Sequence, residues 1–226
     1  DMLLDVLEEA LSARVIEEMP DSIGRYQFTH ALLQETLMDE LSLTRRVRLH
    51  ARIAESLEAL YGDQAEEHAT ELVFHFEQAQ AMLGTEKLIN YSVIAGNAAL
   101  NAFAFEEGRT HFERARECLA SDSDLLVKAE ILYGYGRARS ATQEGDFQIC
   151  WELMKESFYS FKELGHIKEA ISVAENLDPN VVRLSKGTDT LLLEALRHTM
   201  EASPERARIL SSLAISQATQ GQMEEI

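Results

Sequence analysis

Apolar and small residues recur at steps of three and four through residues 85–119, and this spacing predicts two amphipathic helices folded into one hairpin. The stripe residues of the two halves are Leu88, Tyr91, Ala95, Ala98 and Ala102, then Phe105, Gly108, Phe112, Ala115 and Leu119. Gly108, Phe112 and Ala115 follow Gly96 at plus twelve, sixteen and nineteen, the spacing of a tetratricopeptide repeat. We expect the small residues to let the helix backbones approach closely, with Phe112 filling the gap.

Similar stripes continue on both sides of this hairpin. Residues 145–150, 165–170 and 221–226 share one form of helix start, in which a glycine opens the segment. Two helices per repeat then take about 40 residues, more than the ~34 of a standard tetratricopeptide. The pattern predicts an all-α protein, with a tetratricopeptide-like helical-repeat superhelix (α-solenoid) over residues 43–226.

A different pattern occupies residues 1–42. Leu3, Leu4, Leu7 and Leu11 form one helical stripe, and residues 15–18 and 26–29 read as two strands around a turn-rich loop. A helix followed by a β-hairpin is the second half of a winged helix, so we predict a partial winged-helix unit with a small β-hairpin and a linking helix. Arg14 is the only basic residue among the first 24, against seven acidic ones. A role as a rigid spacer is therefore favoured over DNA binding.

The composition of the chain disfavours two kinds of partner, nucleic acids and membranes. The chain has 226 residues, 46% of them apolar, and its 39 acidic and 21 basic residues give a formal net charge of −18. Such an excess of negative charge disfavours a nucleic-acid partner. Neither a signal peptide nor an apolar run near the ~18 residues of a membrane span is present, so we expect a cytoplasmic protein with no membrane partner.

Candidate chemistry is sparse. Cys118 and Cys150 lie 32 residues apart with no second cysteine at metal-ligand spacing, so buried free thiols are expected. His68 and His75 could share a helix face, but without a third ligand they favour partly buried, hydrogen-bonded rings over zinc. No GxxxxGK[ST] stretch exists to bind nucleotide phosphates. We expect no cofactor, no metal and no enzymatic activity.

Two further segments carry expectations of their own. The basic cluster of Arg45, Arg46, Arg48 and Arg52 places part of its charge on one outer helix face, where pairing with acidic side chains of the same chain is favoured over phosphate binding. Residues 178–187 interrupt the helical pattern as a loop with apolar content, which either packs back on the scaffold or presents a docking edge.

A partner surface is predicted on the concave side of the superhelix. One helix of each pair lines that side in a solenoid, here the helices that start near residues 85, 123, 166 and 204. The aromatic residues of the helix around Trp151 favour core filling, apart from Tyr159. The candidate groove residues are Asn90, Asn97, Asn101, Arg137, Arg139 and Tyr159.

One part of the chain resembles a known family. The stretches that carry the resemblance are RYQFTHALLQETL at 25–37, Leu41-Ser42, Arg45-Arg46, Leu49-His50 and IAESLE at 53–58. Together they resemble the segment of large bacterial signalling ATPases of the STAND type that joins a winged helix to tetratricopeptide-like repeats. The rest of the chain, including Glu71-Leu72 with His75-Phe76, is similar to the repeats of class III adenylate cyclase fusions and LuxR-type regulators.

The resemblance implies a non-catalytic sensor or interaction scaffold of a larger ATP-dependent signalling or transcription-regulating protein. Its partner would be a protein, peptide or small inducer on the concave face, together with other domains of the parent chain. The alternative is a DNA-binding regulator that acts through the winged helix. The family's phosphate-binding loop, cyclase domain and DNA-binding output domain have no counterpart in this sequence.

The last repeat is expected to be truncated, because residues 221–226 open a helix that the sequence does not finish. The preceding helix, residues 204–220, would then lack a covering partner. We expect Leu210, Leu213 and Ala214 to be partly bare and to favour self-association.

Overall fold

Helices dominate the computed structural model, which describes residues 2–19, 24–142 and 147–224, with side chains as far as residue 219. Within these ranges, strands occur only as one two-stranded antiparallel sheet near the N-terminus. The predictions of a helix-dominated chain and of one small β-hairpin are confirmed.

The N-terminal unit contains α1 (Met2–Ser12), β1 (Ile16–Glu18), β2 (Tyr26–Phe28) and α2 (Ala31–Asp39). Ile16 lies opposite Phe28 and Glu18 opposite Tyr26, so the two strands pair in antiparallel register. Backbone bonds from Met19 N to Arg25 O (2.9 Å) and from Thr29 N to Val15 O (3.1 Å) extend the hairpin at both ends. The predicted loop residues 20–23 lie outside the described residues. Neither α1 nor α2 contains a buried residue.

Consecutive helices pack against one another from residue 43 to residue 175 and again from residue 188 onwards, whereas the short helix over residues 179–184 packs mainly on helices that are not its neighbours in the chain. The helices are α3 (Leu43–Tyr61), a 3₁₀ segment (Gly62–His68), α4 (Ala69–Leu83), α5 (Glu86–Asn101), α6 (Phe105–Glu117), α7 (Leu125–Thr142), α8 (Phe147–Glu163), α9 (Ile167–Glu175), α10 (Pro179–Leu184), α11 (Thr188–Leu196) and α12 (Pro204–Glu224). Contacts also join α5 to α7 and α9 to α12. A hydrogen bond from Tyr133 Oη to Ser172 O (3.0 Å) links α7 to α9. Helices α5, α7, α9 and α12 therefore follow one another along the same side of the array.

Local sequence sets several helix ends. Ser42 caps α3 by accepting a hydrogen bond from Arg45 N, and Ser203 caps α12 by accepting one from Arg206 N (3.2 Å). At Gly84 the backbone has φ 76°, a left-handed conformation that glycine adopts without strain, and α4 stops there. Short connections of this kind fold successive helices back on each other.

The contact between α5, α6 and α7 is built around Phe112, which is completely buried. A Cβ atom added at Gly96 would lie 2.8 Å from the Phe112 ring, and one added at Gly134 would lie 2.1 Å from it. Glycine on both flanking helices therefore leaves the space that the ring occupies. The other two repeat positions, Gly108 and Ala115, are also buried, so all four lie inside this contact.

Two C-terminal segments differ from the expectation. Residues 179–184 form the short helix α10 rather than a loop, because Asp178 accepts a hydrogen bond from Asn180 N and Pro179 occupies the first turn. On α12, Leu213 is only 7% exposed, whereas Leu210 is 45% exposed. Helices α9, α10 and α11 all pack against α12, and this coverage buries Leu213 although it was expected to be bare. Helix α12 continues through Gly221 to Glu224, so the predicted start of a new helix at residue 221 is wrong. Self-association through this end stays a prediction.

None of the helices in the described part of the chain combines the length and the apolar character that a membrane crossing requires.

Candidate binding groove

Helices α5 and α7, with the connection that follows α6, enclose an open groove of about 490 Å³. Its floor is apolar and half-buried, and it is formed by Ile89, Val93, Cys118, Leu119 and Val127. Its rim is polar and exposed, and it is formed by Glu86, Asn90, Asp124 and Glu130. A concave apolar floor with a few polar groups around it is typical of sites that bind peptides and small molecules.

The groove follows from helical periodicity and from one fixed turn. Ile89 and Val93 stand four residues apart on α5, so both side chains lie on the same face of the helix. The turn before α7 is held by Ser123 Oγ, which accepts a hydrogen bond from Ala120 N at 2.8 Å. Asp124 Oδ1 accepts one from Leu126 N at 2.7 Å and fixes the start of α7. Asp124 therefore caps the start of α7.

The charge around the groove has one sign. The charged lining residues are Glu86, Asp124 and Glu130, with no lysine or arginine among them. Loss of water around its carboxyl raises the pKa of Glu130, although the side chain itself is exposed at the rim. The neighbouring carboxylates of Asp124 and Glu169 raise this pKa further, and His166 opposes them. The charged residues that line the groove are therefore all acidic, and His166, which is not among the lining residues, has the largest charge effect on Glu130.

The predicted groove residues fall in three places. Asn90 lines the groove, while Asn97 and Asn101 are exposed further along α5. Arg137 lines a separate cavity of about 250 Å³ near the ends of α5 and α7. It also stacks on Tyr133, with its guanidinium carbon 5.4 Å from the ring centroid.

Arg139 and Tyr159 lie away from the groove. Arg139 Nη1 donates a hydrogen bond to Tyr135 Oη (3.2 Å), and that hydroxyl donates to Glu113 Oε1 on α6 (3.2 Å). Because each helical residue turns by about 100°, position 139 points to a different side of α7 from position 137. Tyr159 lies on α8, where it is 40% exposed and where burial and Glu194 on α11 raise its pKa.

Sequence reasoning missed the apolar floor and a contact between two histidines, the buried His50 and the half-buried His75. His50 Nδ1 and His75 Nδ1 lie 3.0 Å apart across the contact of α3 and α4, although the sequence suggested a pair of His68 and His75. His68 instead stacks on Tyr61, with ring centroids 3.7 Å apart. This contact could not be predicted from the sequence pattern, because His50 and His75 are 25 residues apart and only helix packing brings them together.

The contact between His50 and His75 predicts a pH-dependent stability. Burial lowers the pKa of His50, and nearby Arg46 lowers it further. Burial also lowers the pKa of His75; His50 lowers it further, whereas Glu71 raises it. A histidine whose pKa is lowered on folding binds more protons when unfolded, so its stabilising effect is complete above the ordinary value of 6.5 and is lost as pH falls below it. We expect a lower urea midpoint at pH 5 than at pH 8.

The variant His75→Gln should reduce this pH dependence, since it removes one of the two titrating rings whose pKa is lowered. His198→Gln is the matched control, because His198 is exposed at the end of α11. Equal pH dependence of the urea midpoint in wild type and in both variants would contradict the role assigned to the pair.

The arginine cluster does not pair as expected. Arg45, Arg48 and Arg52 are exposed on α3, and none forms an ion pair with an acidic side chain among the described residues. At spacings of three and four they lie together on one exposed face of the helix.

Both cysteines are free: Cys150 is buried and Cys118 is half-buried at the groove floor. Burial raises the pKa of each thiol, so both stay protonated at neutral pH and are poor nucleophiles.

The described residues contain no group of three or more histidine, cysteine or acidic side chains arranged to hold a metal ion. Comparisons with protein-family models, with curated proteins and with solved structures found no match.

Proposed function

We propose that this chain is a non-catalytic interaction scaffold, a tetratricopeptide-like α-solenoid that binds a protein, peptide or small inducer on its inner face. The observation that carries the proposal is the groove of about 490 Å³ between α5 and α7. These helices belong to the series α5, α7, α9 and α12, which lies along one side of the array. In a helical-repeat superhelix, such a series forms the concave binding surface.

The proposal extends to a larger signalling protein. Residues 1–42 would be the end of a winged helix, and residues 43–226 the sensor region of a cytoplasmic STAND-type ATPase or transcription regulator. In support, α1, the hairpin and α2 contact mainly one another. Leu3, Leu4 and Val6 on α1 are each more than half exposed, as expected of a surface that other domains of a parent chain cover.

Selection of peptide ligands from a displayed library tests the scaffold function. Selected peptides should lose binding to the variant Val127→Trp, because the larger ring fills the groove floor. The matched control is Ile149→Trp on α8, where residue 149 is 46% exposed and outside the groove. If no peptide is selected, or if both variants bind the selected peptides equally well, the proposed function fails.

The DNA-binding alternative makes a separate prediction. Helix α1 stands where the recognition helix of a winged helix would lie, but it carries Asp5, Glu8 and Glu9 and no basic residue. Phosphate contacts supply most of the affinity of non-specific DNA binding, so carboxylates on this helix oppose it. We expect no gel shift of a random 30-base-pair duplex at physiological salt. A shift that persists there and disappears on mixing with excess unlabelled duplex would revive the alternative.

A further inference from the structure

We infer that the groove between α5 and α7 takes a basic peptide segment, in which lysine or arginine residues are mixed with aliphatic ones. The inference rests on the proposed function and specifies the chemical class of the partner. Two independent properties of the groove carry it: the sign of its charge and the character of its floor.

The charge is uncompensated because the nearby lysines pair elsewhere. Lys87, next to Glu86 on α5, forms an ion pair with Glu58 on α3. Lys128, next to Val127 on α7, forms one with Glu156 on α8 at 2.7 Å. Both cations face away from the groove, which leaves the carboxylates of Glu86, Asp124 and Glu130 at its rim without a lysine or arginine partner among the lining residues.

Glu130 lies close to two other carboxylates. Loss of water is the main cause of its raised pKa; His166 has the next largest effect and lowers the pKa, while Asp124 and Glu169 raise it. His166 itself lies 3.8 Å from Glu169, so its charge is shared when it is protonated. An ammonium or guanidinium group placed between Asp124 and Glu130 would relieve the repulsion. An acidic ligand would increase it.

The floor selects a peptide over a bare cation. Ile89, Val93, Leu119 and Val127 are half-buried and apolar, so they offer no ligands to a hydrated metal ion. Aliphatic side chains would bury this surface, and the methylene stems of lysine and arginine pack on apolar surfaces while their charged ends reach the rim. A volume of about 490 Å³ accommodates a few side chains of an extended segment.

Fluorescence anisotropy with three labelled peptides tests the inference. The basic probe is acetyl-Gly-Leu-Lys-Lys-Leu-Lys-Gly-amide, and the other two replace every lysine by glutamine or by glutamate. We expect the basic peptide alone to bind, with an affinity that falls as sodium chloride is raised. The double variant Asp124→Asn with Glu130→Gln should weaken binding by about tenfold, since it removes two charge pairs. Asparagine at 124 keeps the helix cap.

A charge-matched control separates the groove from the overall acidity of the chain. The double variant Glu55→Gln with Asp63→Asn changes the net charge by the same amount, and neither residue lines the groove. We expect it to bind the basic peptide as wild type does. Equal weakening in the two double variants would overturn the inference, because the attraction would then be non-specific.

The remaining outcomes distinguish the inference from the proposed function. If the glutamine or the glutamate peptide binds more tightly than the basic peptide, and Val127→Trp blocks that binding, the inference of a basic ligand is overturned. The proposed function is then supported, because the groove still binds a peptide. Failure of all three peptides overturns the inference, and the displayed-library selection then decides the proposed function independently.

Discussion

Replacement of Ala115 by arginine is expected to destabilise the chain more than any other single change considered for α6. Ala115 has no exposed surface and lies where α6 contacts its neighbours. Overpacking of a core site ordinarily costs ~1–3 kcal/mol, and burial of a charge without a partner adds to this cost. Urea denaturation followed by circular dichroism should show either a much lower midpoint or a chain that is unfolded in buffer.

The matched control is Ala98→Arg on α5, which introduces the same side chain at an exposed helical position. Both variants add one positive charge to a chain of net charge −18, so a general electrostatic effect would act on both alike. We expect Ala98→Arg to change the free energy of unfolding by less than about 0.5 kcal/mol. Equal midpoints for the two variants would show that Ala115 does not lie at a tightly packed contact.

Gly134→Ala is the second change with a large expected effect. Whether it raises or lowers the free energy of unfolding distinguishes helix propensity from packing. Alanine is favoured over glycine in a helix interior by about 1 kcal/mol, so helix propensity alone predicts stabilisation. A Cβ atom at position 134, however, would lie 2.1 Å from the Phe112 ring. The ring has no room to retreat, because Gly96 bounds it on α5. We therefore expect a net destabilisation of ~1–3 kcal/mol in urea denaturation.

Gly108→Ala provides the control for this substitution. A Cβ atom there meets its nearest neighbours, Gly96 O and a Leu100 methyl group, at 3.4 Å, which is ordinary van der Waals contact. We expect Gly108→Ala to be far less damaging than Gly134→Ala. In a double-mutant cycle, Gly134→Ala should cost less in a Phe112→Leu background than in wild type, since the smaller side chain leaves space. Additive effects would contradict the direct clash.

The packing at Phe112 also bears on the proposed binding groove. The same ring lies between Gly96 on α5 and Gly134 on α7, so it sets the separation of the two helices that form the groove walls. The groove lies between the first halves of these helices, where Ile89 and Val127 replace the glycine contact. Substitutions that force α5 and α7 apart should therefore alter the affinity of the basic peptide as well as stability.

The predictions from sequence succeeded where local pattern decides structure. Apolar spacing predicted the helix-dominated chain, and alternation around a turn-rich loop predicted the strands that pair Ile16 with Phe28. The helix starts at Ser42 and Ser203 are local in the same sense, because each serine side chain bonds to a backbone group only three residues away. Each of these features depends on residues that are near neighbours in the chain.

Tertiary structure alone decided which side chains meet across helices. The His50 and His75 contact, the burial of Leu213 and the placement of Arg139 beside Tyr135 rather than in the groove depend on how helices rotate and pack. A helical stripe predicts which face is buried but not its partner, since many apolar faces fit one another about equally well. The groove depends on the same choice: its floor joins Ile89 to Val127, 38 positions apart in the sequence. By itself, the sequence determined most of the helices and the small residues at the contact of α5 with α6, Gly96, Gly108 and Ala115, and the packing of α5 on α7 created the groove.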